Sequence, residues 1–286
     1  KSEINFIPTM GNLHDGHKKL ISTAKNSNSN INVVSVFINP LQFNNKEDLE
    51  NYPKTIDDDI ESAFSNGADM IFIPSTFEIY PPNSKNITYL KAPKELSSAL
   101  CGLTREGHFD GVCTVVYRLL NLIKPRNLYL GEKDWQQLLI LKNLISEKNL
   151  NVNIKSIATQ RDSDGIPLSS RNKRLSKSER KLIRIFSEEL LLAAKVFKQN
   201  KKIKLQQINK KLQSKKIMIE YLEHLHPYTL KKATKKDNIS ILAGAIKCGE
   251  IRLIDHVFLM KRKPVIAIDG PAGAGKSTVT KLIAKK

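Results

Sequence analysis

The chain has 286 residues, which is enough for two domains with separate hydrophobic cores. Its formal net charge is +19, but the lysines are scattered along helical segments without interleaved aromatic side chains, so we do not expect a nucleic-acid partner. No apolar run is long enough to span a membrane, the start shows no signal-peptide pattern, and three widely spaced cysteines favour reduced thiols in a cytoplasmic protein.

The first informative segment runs from residue 4 to residue 17. An apolar strand enters a glycine-containing turn, and His14 and His17 follow at the start of a helix. Free backbone N–H groups and the helix dipole attract anions at such a position, and imidazoles can hydrogen-bond phosphate oxygens. The segment therefore predicts a nucleotide site. We do not expect a metal there, because no third ligand has suitable spacing.

Strand-like and helix-like segments alternate through residues 1–160. The pattern predicts strands over residues 31–38, 68–73 (short and buried), 128–130 and 152–159, and helices over residues 55–66, 110–123 and 134–148. Thr55 with Asp58 predicts a capping box at the first of these helices. This β-α alternation is typical of a doubly wound parallel sheet whose site lies at the carboxyl ends of the strands.

The regular alternation of predicted strands and helices ends at Gln160. A polar loop covers residues 161–172, and Ser176 with Glu179 predicts a capping box that opens a long helix to about residue 197. A lysine-rich helix follows over residues 203–214, and strands are predicted over residues 217–225, 239–246 and 251–259. We expect a smaller α+β domain over residues 161–260, hinged near Gln160.

Residues 264–286 carry a separate motif, a phosphate-binding loop pattern. A predicted strand over residues 264–268 precedes a phosphate-binding loop pattern and a helix; the pattern residues are Gly270, Gly273, Gly275, Lys276 and Ser277. One strand and part of one helix bury no core. We expect the opening of a P-loop domain that this chain does not complete.

Two polar clusters are predicted at the active edge of the sheet. Gly131 to Gln137 lies between a strand and a helix, where Lys133 can neutralise phosphate and Gln137 offers a donor and an acceptor. Asp134 could instead cap the helix. After the second strand, Gln42 could face the same cleft.

The polar loop at the hinge carries Leu168, Ser169, Ser170 and Arg171, whose hydroxyls and guanidinium suit phosphate oxygens. A loop at a hinge could close over a bound nucleotide and exclude water. Residues 107–111, Gly-His-Phe-Asp-Gly, are interpreted as helix entry and packing more than chemistry.

Taken together and in this order, the motifs resemble the pantothenate synthetase (pantoate–β-alanine ligase) family. The resemblance covers residues 4–259 and is densest at Pro-Thr-Met-Gly-Asn-Leu-His-Asp-Gly-His, Asn-Pro-Leu-Gln-Phe, Gly-His-Phe-Asp-Gly-Val, Gly-Glu-Lys-Asp-Trp-Gln-Gln and Leu-Ser-Ser-Arg-Asn. The tail looks like the start of a cytidylate kinase, and this order matches the bifunctional pantoate ligase/cytidylate kinases of cyanobacteria. Trp135 stands where the family usually has tyrosine.

The resemblance implies a nucleotidylyltransferase-type Rossmann-like fold and a two-step reaction. Pantoate and ATP would form pantoyl adenylate and pyrophosphate, and the amine of β-alanine would then displace AMP to give pantothenate. The family uses Mg²⁺ with ATP, is usually a homodimer and acts on small molecules rather than on nucleic acids or membranes. A longer parent would also phosphorylate CMP or dCMP.

By match of motif, the resemblance implies roles for individual residues. His17 would be the proton donor, with His14 beside it, and Gln160 would touch the nucleotide through its backbone. Gln42 would bind pantoate and β-alanine, and Gln137 would bind pantoate. The implied ATP-binding residues are Met10, Gly11, Asn12, Leu13, His14, Asp15, Gly16, His17, Gly131, Glu132, Lys133, Asp134, Gln160, Leu168, Ser169, Ser170 and Arg171.

The main alternative is another nucleotidylyltransferase with the His-x-Gly-His element, such as a small-molecule adenylyltransferase or a class I aminoacyl-tRNA synthetase. Those enzymes are not expected to carry the Gln42 and Gln137 segments at these places, and no Lys-Met-Ser-Lys-Ser loop is found. A basic nucleic-acid-binding protein is the alternative of another class, which salt-sensitive binding without ATP turnover would favour.

Overall fold

The computed structural model describes residues 3–27, 30–82, 87–199, 202–249, 251–261, 268–271 and 273–284. Within these ranges the first half of the chain forms a parallel sheet. Its strands are β1 (Ile4–Thr9), β2 (Ile31–Val36), β3 (Met70–Phe72), β4 (Asn127–Gly131) and β5 (Asn153–Ile157), in the order β3-β2-β1-β4-β5. The order reverses between β1 and β4, which creates a crevice at the carboxyl ends of these two strands. The predicted doubly wound sheet is confirmed.

Helices cover both faces of this sheet. They are α1 (Asp15–Ser27), α2 (Lys46–Glu50), α3 (Ile56–Ser65), α4 (Thr76–Ile79), α5 (Lys94–Ser97), α6 (Cys101–Thr104), α7 (His108–Ile123) and α8 (Trp135–Glu147), with 3-10 turns at Pro40–Gln42 and Glu132–Asp134. Because successive strand residues point to opposite faces, Phe6 packs in one hydrophobic cluster and Ile7 in another. Both faces are therefore buried, which agrees with the mostly apolar sequences of β1 and β2.

A second, antiparallel sheet follows. Its strands are β6 (Met218–Leu225), β7 (Ile239–Cys248) and β8 (Ile251–Met260), in that order, and it is preceded by a 3-10 helix at Ser170–Arg174 and by helices α9 (Lys177–Lys198) and α10 (Leu205–Ser214). Phe186 of α9 and Leu212 of α10 share a core with Ile246 on one face. Ile241 and Ala243 on the other face join the core of the first sheet. The predicted smaller α+β unit is confirmed.

Two local predictions are wrong. The segment 68–73 was expected to be a short buried strand, but β3 is an edge strand with a single neighbour, and Met70 is 57% exposed. The capping box at Thr55 does not form, since its hydroxyl donates to Oδ2 of Asp59 (3.1 Å) rather than capping α3. The box at Ser176 does form, with the N–H of Glu179 on Oγ of Ser176 (3.2 Å).

The tail contains α11 (Lys276–Ala284), and its described residues bury no side chain. Residues 264–267 of the predicted strand lie outside the described residues. Cys101, Cys113 and Cys248 are buried and free within the described part of the chain. No described helix combines the length and apolar character that a membrane crossing needs.

Candidate functional site

A cleft of about 230 Å³ lies at the carboxyl ends of β1, β4 and β5. It brings together most of the side chains that the sequence singled out from four separate segments. Those that line it are Met10, His14, Gly16, His17, Gln42, Gly131, Lys133, Asp134, Gln137, Gln160, Leu168, Ser169, Ser170 and Arg171. The predicted convergence of the motifs is therefore a property of the fold.

His14 and His17 are held as neutral rings with a defined tautomer. Their ring centroids lie 4.1 Å apart. The N–H of Gly16 donates to Nδ1 of His14 (3.1 Å), and the N–H of His14 donates to Nδ1 of His17 (3.4 Å). Burial lowers the pKa of His14 to about 2, helped by the charges of His17 and Lys133, and lowers the pKa of His17 to about 4. Because Nδ1 accepts a bond in each ring, the single proton sits on Nε2, which can donate to a phosphate oxygen.

Asp59 of α3 fixes the turn ahead of the histidines. Its carboxylate is 2% exposed and accepts the N–H groups of Asn12 (2.8 Å) and Leu13 (2.7 Å). Gly11 precedes them with φ of +80°, and a Cβ there would lie 2.9 Å from Oδ2 of Asp59. Sequence reasoning missed this residue, because Asp57, Asp58 and Asp59 look alike and only the fold selects one of them.

Lys133 and Asp134 enter the cleft from the 3-10 turn after β4. Nζ of Lys133 lies 3.7 Å from Oδ1 of Asp134, too far for a close ion pair. Desolvation by the cleft raises the pKa of Asp134, whose side chain is still 49% exposed, but nearby positive charges, Lys133 first, outweigh that effect and keep the pKa below its usual value. Asp134 makes no side-chain cap to α8, so both charges are available to a ligand.

Gln42 is positioned by its neighbours on the loop after β2. Its Nε2 donates to Sδ of Met10 (2.9 Å), and its Oε1 accepts from Nδ2 of Asn39 (3.1 Å). Asn39 also donates to the carbonyl of Gly111 in α7 (3.1 Å). A Cβ at Gly111 would lie 2.2 Å from the carbonyl oxygen of Leu41, so this close approach of helix and loop requires glycine.

Gln136 and Gln137 have opposite environments on the same helix. Gln136 is buried, accepts from the N–H of Cys101 (3.0 Å) and donates to the carbonyls of Leu96 (2.8 Å) and Ala99 (2.7 Å). Gln137 lines the cleft. The two neighbouring side chains therefore leave α8 in different directions, and the one that reaches the cleft is Gln137, in agreement with the prediction.

The loop of residues 161–172 forms one side of the cleft and is tied to both sheets. Oγ of Ser170 donates to the carbonyl of Asn12 (3.2 Å), and Nη2 of Arg171 pairs with Asp48 (3.1 Å). At the base of the loop, Arg161 makes two bonds of 2.8 and 2.7 Å to the buried carboxylate of Asp255 in β8. The loop is therefore held both at its tip and at its base.

Five of the predicted positions do not line the cleft with their side chains. Gly11, Asn12 and Leu13 form the supporting turn. The carboxylate of Asp15 is exposed and pairs with Lys18 (3.0 Å), and the carboxylate of Glu132 accepts from Ser156 (2.8 Å). The side chains of Asp15 and Glu132 are occupied by these contacts.

Two further residues line the cleft: Arg105, which sequence reasoning did not single out, and His108, which it treated as packing. Nδ1 of His108 donates to the carbonyl of Gln42 (2.7 Å), and Nη2 of Arg105 donates to the same oxygen (3.1 Å). Burial lowers the pKa of His108 to about 4, so the ring is neutral. The signal available in the sequence was polarity, since an arginine and a histidine precede an otherwise apolar helix.

Beyond Arg105 and His108 the cleft continues into a second cavity between the two sheets. Its remaining walls include Cys101, Trp135, Tyr221 and Arg252. Trp135 is buried and donates from Nε1 to the carbonyl of Pro227 (2.6 Å), so the indole fills a structural position beside this cavity.

No cluster of three or more acidic, histidine or cysteine ligands suitable for a metal occurs in the described part of the chain.

In the tail, Gly273 and Gly275 have positive φ, and Nζ of Lys276 bonds the carbonyls of Gly270 and Pro271 ahead of α11. Gly273 and Gly275 therefore lie in a turn that leads into α11, which begins with Lys276 and Ser277.

The arrangement suits a reaction between a polyphosphate and a polar acid. Imidazole N–H groups and Lys133 provide positive potential, and Gln42 and Gln137 provide neutral hydrogen bonds beside them. Cys101 lines the adjoining cavity rather than this cleft.

The comparisons with known proteins agree with this geometry. The family model described as pantoate-beta-alanine ligase matches residues 1–258. The chain is 80% identical over 285 residues to the bifunctional pantoate ligase/cytidylate kinase of Prochlorococcus marinus (strain MIT 9301), covering 100% of this chain and 56% of that protein. It therefore spans about half the length of the curated relatives it matches.

Two solved structures resemble the whole fold. The pantothenate synthetase of Thermus thermophilus is 34% identical with a TM-score of 0.83, covering 90% of this chain and 93% of that one. The pantoate-beta-alanine ligase of Francisella tularensis, complexed with beta-gamma ATP and beta-alanine, is 36% identical with a TM-score of 0.77, covering 92% and 91%.

Proposed function

The chain belongs to the pantoate–β-alanine ligase family, and on that premise we propose that it joins (R)-pantoate to β-alanine in a reaction driven by ATP. The products are pantothenate, AMP and pyrophosphate, and the intermediate is pantoyl adenylate. The observation that carries the proposal is that His14, His17, Lys133, Gln42 and Gln137 line one cleft.

In the first step, a carboxylate oxygen of pantoate attacks the α-phosphorus of ATP and the bond to pyrophosphate breaks. The Nε2–H groups of His14 and His17 and the ammonium of Lys133 stabilise the negative charge that builds on the phosphate oxygens. We assign His17 as the proton donor of this step, because its Nε2–H faces the cleft in which pyrophosphate leaves.

Gln42 and Gln137 hold pantoate. A carboxamide offers both a donor and an acceptor, so each can bond a hydroxyl of the acid without adding charge. The bonds from Asn39 and Arg105 to Gln42 fix this residue before the substrate arrives.

We propose Mg²⁺ as the partner of ATP. Mg²⁺ commonly binds nucleotide phosphates together with one or two carboxylates, and Asp134 is a carboxylate that lines the cleft. Bound there, the ion supplies additional neutralisation of the polyphosphate charge.

In the second step, the amine of β-alanine attacks the acyl carbon and AMP leaves. Water would destroy the adenylate, so the loop carrying Ser169, Ser170 and Arg171 closes the cleft while Arg161 anchors its base. In support, the Francisella tularensis relative was solved as a complex with beta-gamma ATP and beta-alanine.

The residue roles given above for ATP, pantoate and β-alanine are part of this proposal, as are the domain limits 1–160, 161–260 and 264–286. We also propose a cytoplasmic homodimer. Exposed apolar side chains at and beside the β3 edge, namely Met70, Ile73 and Phe77, support a protein contact there. Light scattering of the purified chain measures the oligomeric state.

For the longer parent we propose a second activity, phosphorylation of CMP or dCMP. The names of the relatives and the loop around Lys276 support it. Another His-x-Gly-His nucleotidylyltransferase is the alternative to the ligase function.

One experiment separates these functions. The chain is incubated with ATP, Mg²⁺, pantoate and β-alanine, and each is omitted in turn. Pyrophosphate should appear only when pantoate is present, and β-alanine should accelerate AMP release. Pyrophosphate release that ignores pantoate would reject the ligase function in favour of another transferase.

A further inference from the structure

The second cavity shares part of its wall with the cleft, but its deeper walls carry no residue assigned to ATP or pantoate; the shared residues with such an assignment are Lys133, Asp134, Gln137, Ser169 and Arg171. It opens from the cleft at Arg105, His108 and Gln137, which line both spaces. A molecule in it would therefore touch the wall on which Gln137 lies. Its far side is polar, with Tyr221 and Arg252 from the second sheet.

The positively charged side chains around the cleft and the second cavity differ in whether a carboxylate lies close to them. Nη2 of Arg252 lies 2.6 Å from Glu220, and Nη2 of Arg171 lies 3.1 Å from Asp48. Lys133 lies beside the histidines and Asp134. Arg105 has no ion pair with a carboxylate of the described residues, and its hydrogen bonds go to uncharged groups: the carbonyl of Gln42 and the ring of His108.

The guanidinium of Arg105 is nevertheless held firmly. Nδ1 of His108 donates to the carbonyl of Gln42, so Nε2 is an acceptor and receives Nη1–H of Arg105 at 3.0 Å. Nη2–H of Arg105 bonds the carbonyl of Gln42. These two bonds leave further N–H groups of the guanidinium for a ligand, in a fixed orientation.

These observations lead to one assignment, which rests on the proposed ligase function. We propose that Arg105 binds the carboxylate of β-alanine, so that the amino acid lies at the entrance of the second cavity with its amine toward the acyl group held by Gln42 and Gln137. Arg105 is then the residue that selects an amine bearing a carboxylate.

Arg105 in this role also sets the length of the amine that reacts. Two methylene groups separate the amine and the carboxylate of β-alanine, and a guanidinium fixed by Gln42 and His108 sets the distance that they must span. n-Propylamine, which has the same amine end and no carboxylate, should be a poor acceptor.

The test replaces Arg105 by methionine, which keeps much of the length of the side chain and removes its charge. Two half-reactions are measured: pantoate-dependent exchange of pyrophosphate into ATP without β-alanine, and amide formation with β-alanine or n-propylamine. In Arg105→Met, pantoate-dependent exchange should fall by a smaller factor than amide formation with β-alanine, because Arg105 contacts only the backbone carbonyl of Gln42 and not its carboxamide. The KM for β-alanine should rise by about 100-fold, and the preference for β-alanine over n-propylamine should largely disappear, as expected for loss of an enclosed charge pair.

Arg126→Met is the matched control, because Arg126 lies outside both cavities and contacts Glu3 and Asn151. It should keep both half-reactions and the preference. Arg105→Lys retains the charge but not the planar fork, and should recover part of the preference. This variant also tests the proposal if the methionine variant does not fold.

An unchanged preference in Arg105→Met or Arg105→Lys would overturn the assignment. Loss of exchange with an unchanged KM for β-alanine would also overturn it, because Arg105 would then serve pantoate. Absence of pantoate-dependent exchange in the unmodified chain is a different result, since it would reject the ligase function and with it this assignment.

Discussion

His14 and His17 present the same ring nitrogen to the cleft because the backbone occupies the other one. Backbone N–H groups of Gly16 and His14 bond Nδ1 of the two rings, and burial keeps both rings neutral before ATP binds. Each ring therefore offers a prepositioned N–H, which needs no reorganisation when charge develops on the phosphate.

His17→Ala should slow adenylate formation by about 100-fold, because it removes this donor from the developing charge. Single-turnover pyrophosphate release with ATP and pantoate measures the rate. His226→Ala, in the turn after β6, is the control and should leave the rate unchanged. A near-normal rate in His17→Ala would contradict the role.

Gln42→Ala should weaken pantoate binding by about tenfold, since it removes neutral hydrogen bonds to the substrate, and should leave the affinity for ATP nearly unchanged. Calorimetric titrations with each substrate measure the two affinities. Gln206→Ala, on the exposed face of α10, is the control. Weakened ATP binding with normal pantoate binding would refute the assignment.

The starts of α9 and α3 show which of the two predicted capping boxes forms in the folded chain. Ser176 and Glu179 exchange hydrogen bonds at the start of α9, and no other described group competes for the hydroxyl except Ser178. At α3, Asp59 takes the hydroxyl of Thr55 because its carboxylate already binds the turn before His14. The start of α3 therefore supports the site and leaves its own cap unformed.

Ser176→Ala should lower the free energy of unfolding by about 1 kcal/mol, the usual effect of losing an N-cap hydroxyl. Urea denaturation measures it. Glu179→Gln can still bond the N–H of Ser176 and should have a smaller effect. Equal losses in the two variants would contradict this expectation, because the charge of Glu179 would then contribute as much to stability as the hydroxyl of Ser176.

Across the whole molecule, buried neutral histidines couple stability to pH. Burial lowers the pKa of His108 and of His256 to about 4, from 6.5 in the unfolded chain. Below pH 6.5 the unfolded chain binds protons that the folded chain does not, so stability falls as the pH falls toward 4. At about pH 5, each of these histidines should lower the free energy of unfolding by about 2 kcal/mol relative to neutral pH.

Urea midpoints at about pH 7.5 and about pH 5, at constant ionic strength, test this coupling. His256→Gln should reduce the difference between the two midpoints, because glutamine does not titrate. A midpoint that is equal or higher at the acidic pH in the unmodified chain would contradict the expected sign.

The P-loop segment gives a second prediction at this scale. The described part of α11 leaves Val279, Leu282 and Ile283 exposed, so no core among the described residues supports the loop around Lys276. We expect the chain by itself to show no phosphorylation of CMP. Formation of CDP from CMP and ATP above a no-protein blank would contradict this expectation.

Much of the fold and of the site was predictable from the sequence because the signals are local. Strand and helix periods gave the alternation that is typical of a parallel sheet, Ser176 with Glu179 marked a helix start, and the motifs around His14, Lys133 and Ser169 lay where strands end. Parallel strands bring such ends to one edge, so their convergence follows from the pattern.

Tertiary structure alone decided the roles of residues whose neighbours are distant in sequence. Asp59 was separated from Asp57 and Asp58 only by its contact with Asn12, and Arg105 and His108 entered the site only through the carbonyl of Gln42. Ile241 and Ala243 show the same dependence, since residues of the second sheet complete the core of the first. Local sequence sets the period and termini of an element, whereas the partner of each buried polar or apolar group is fixed only when distant segments pack together.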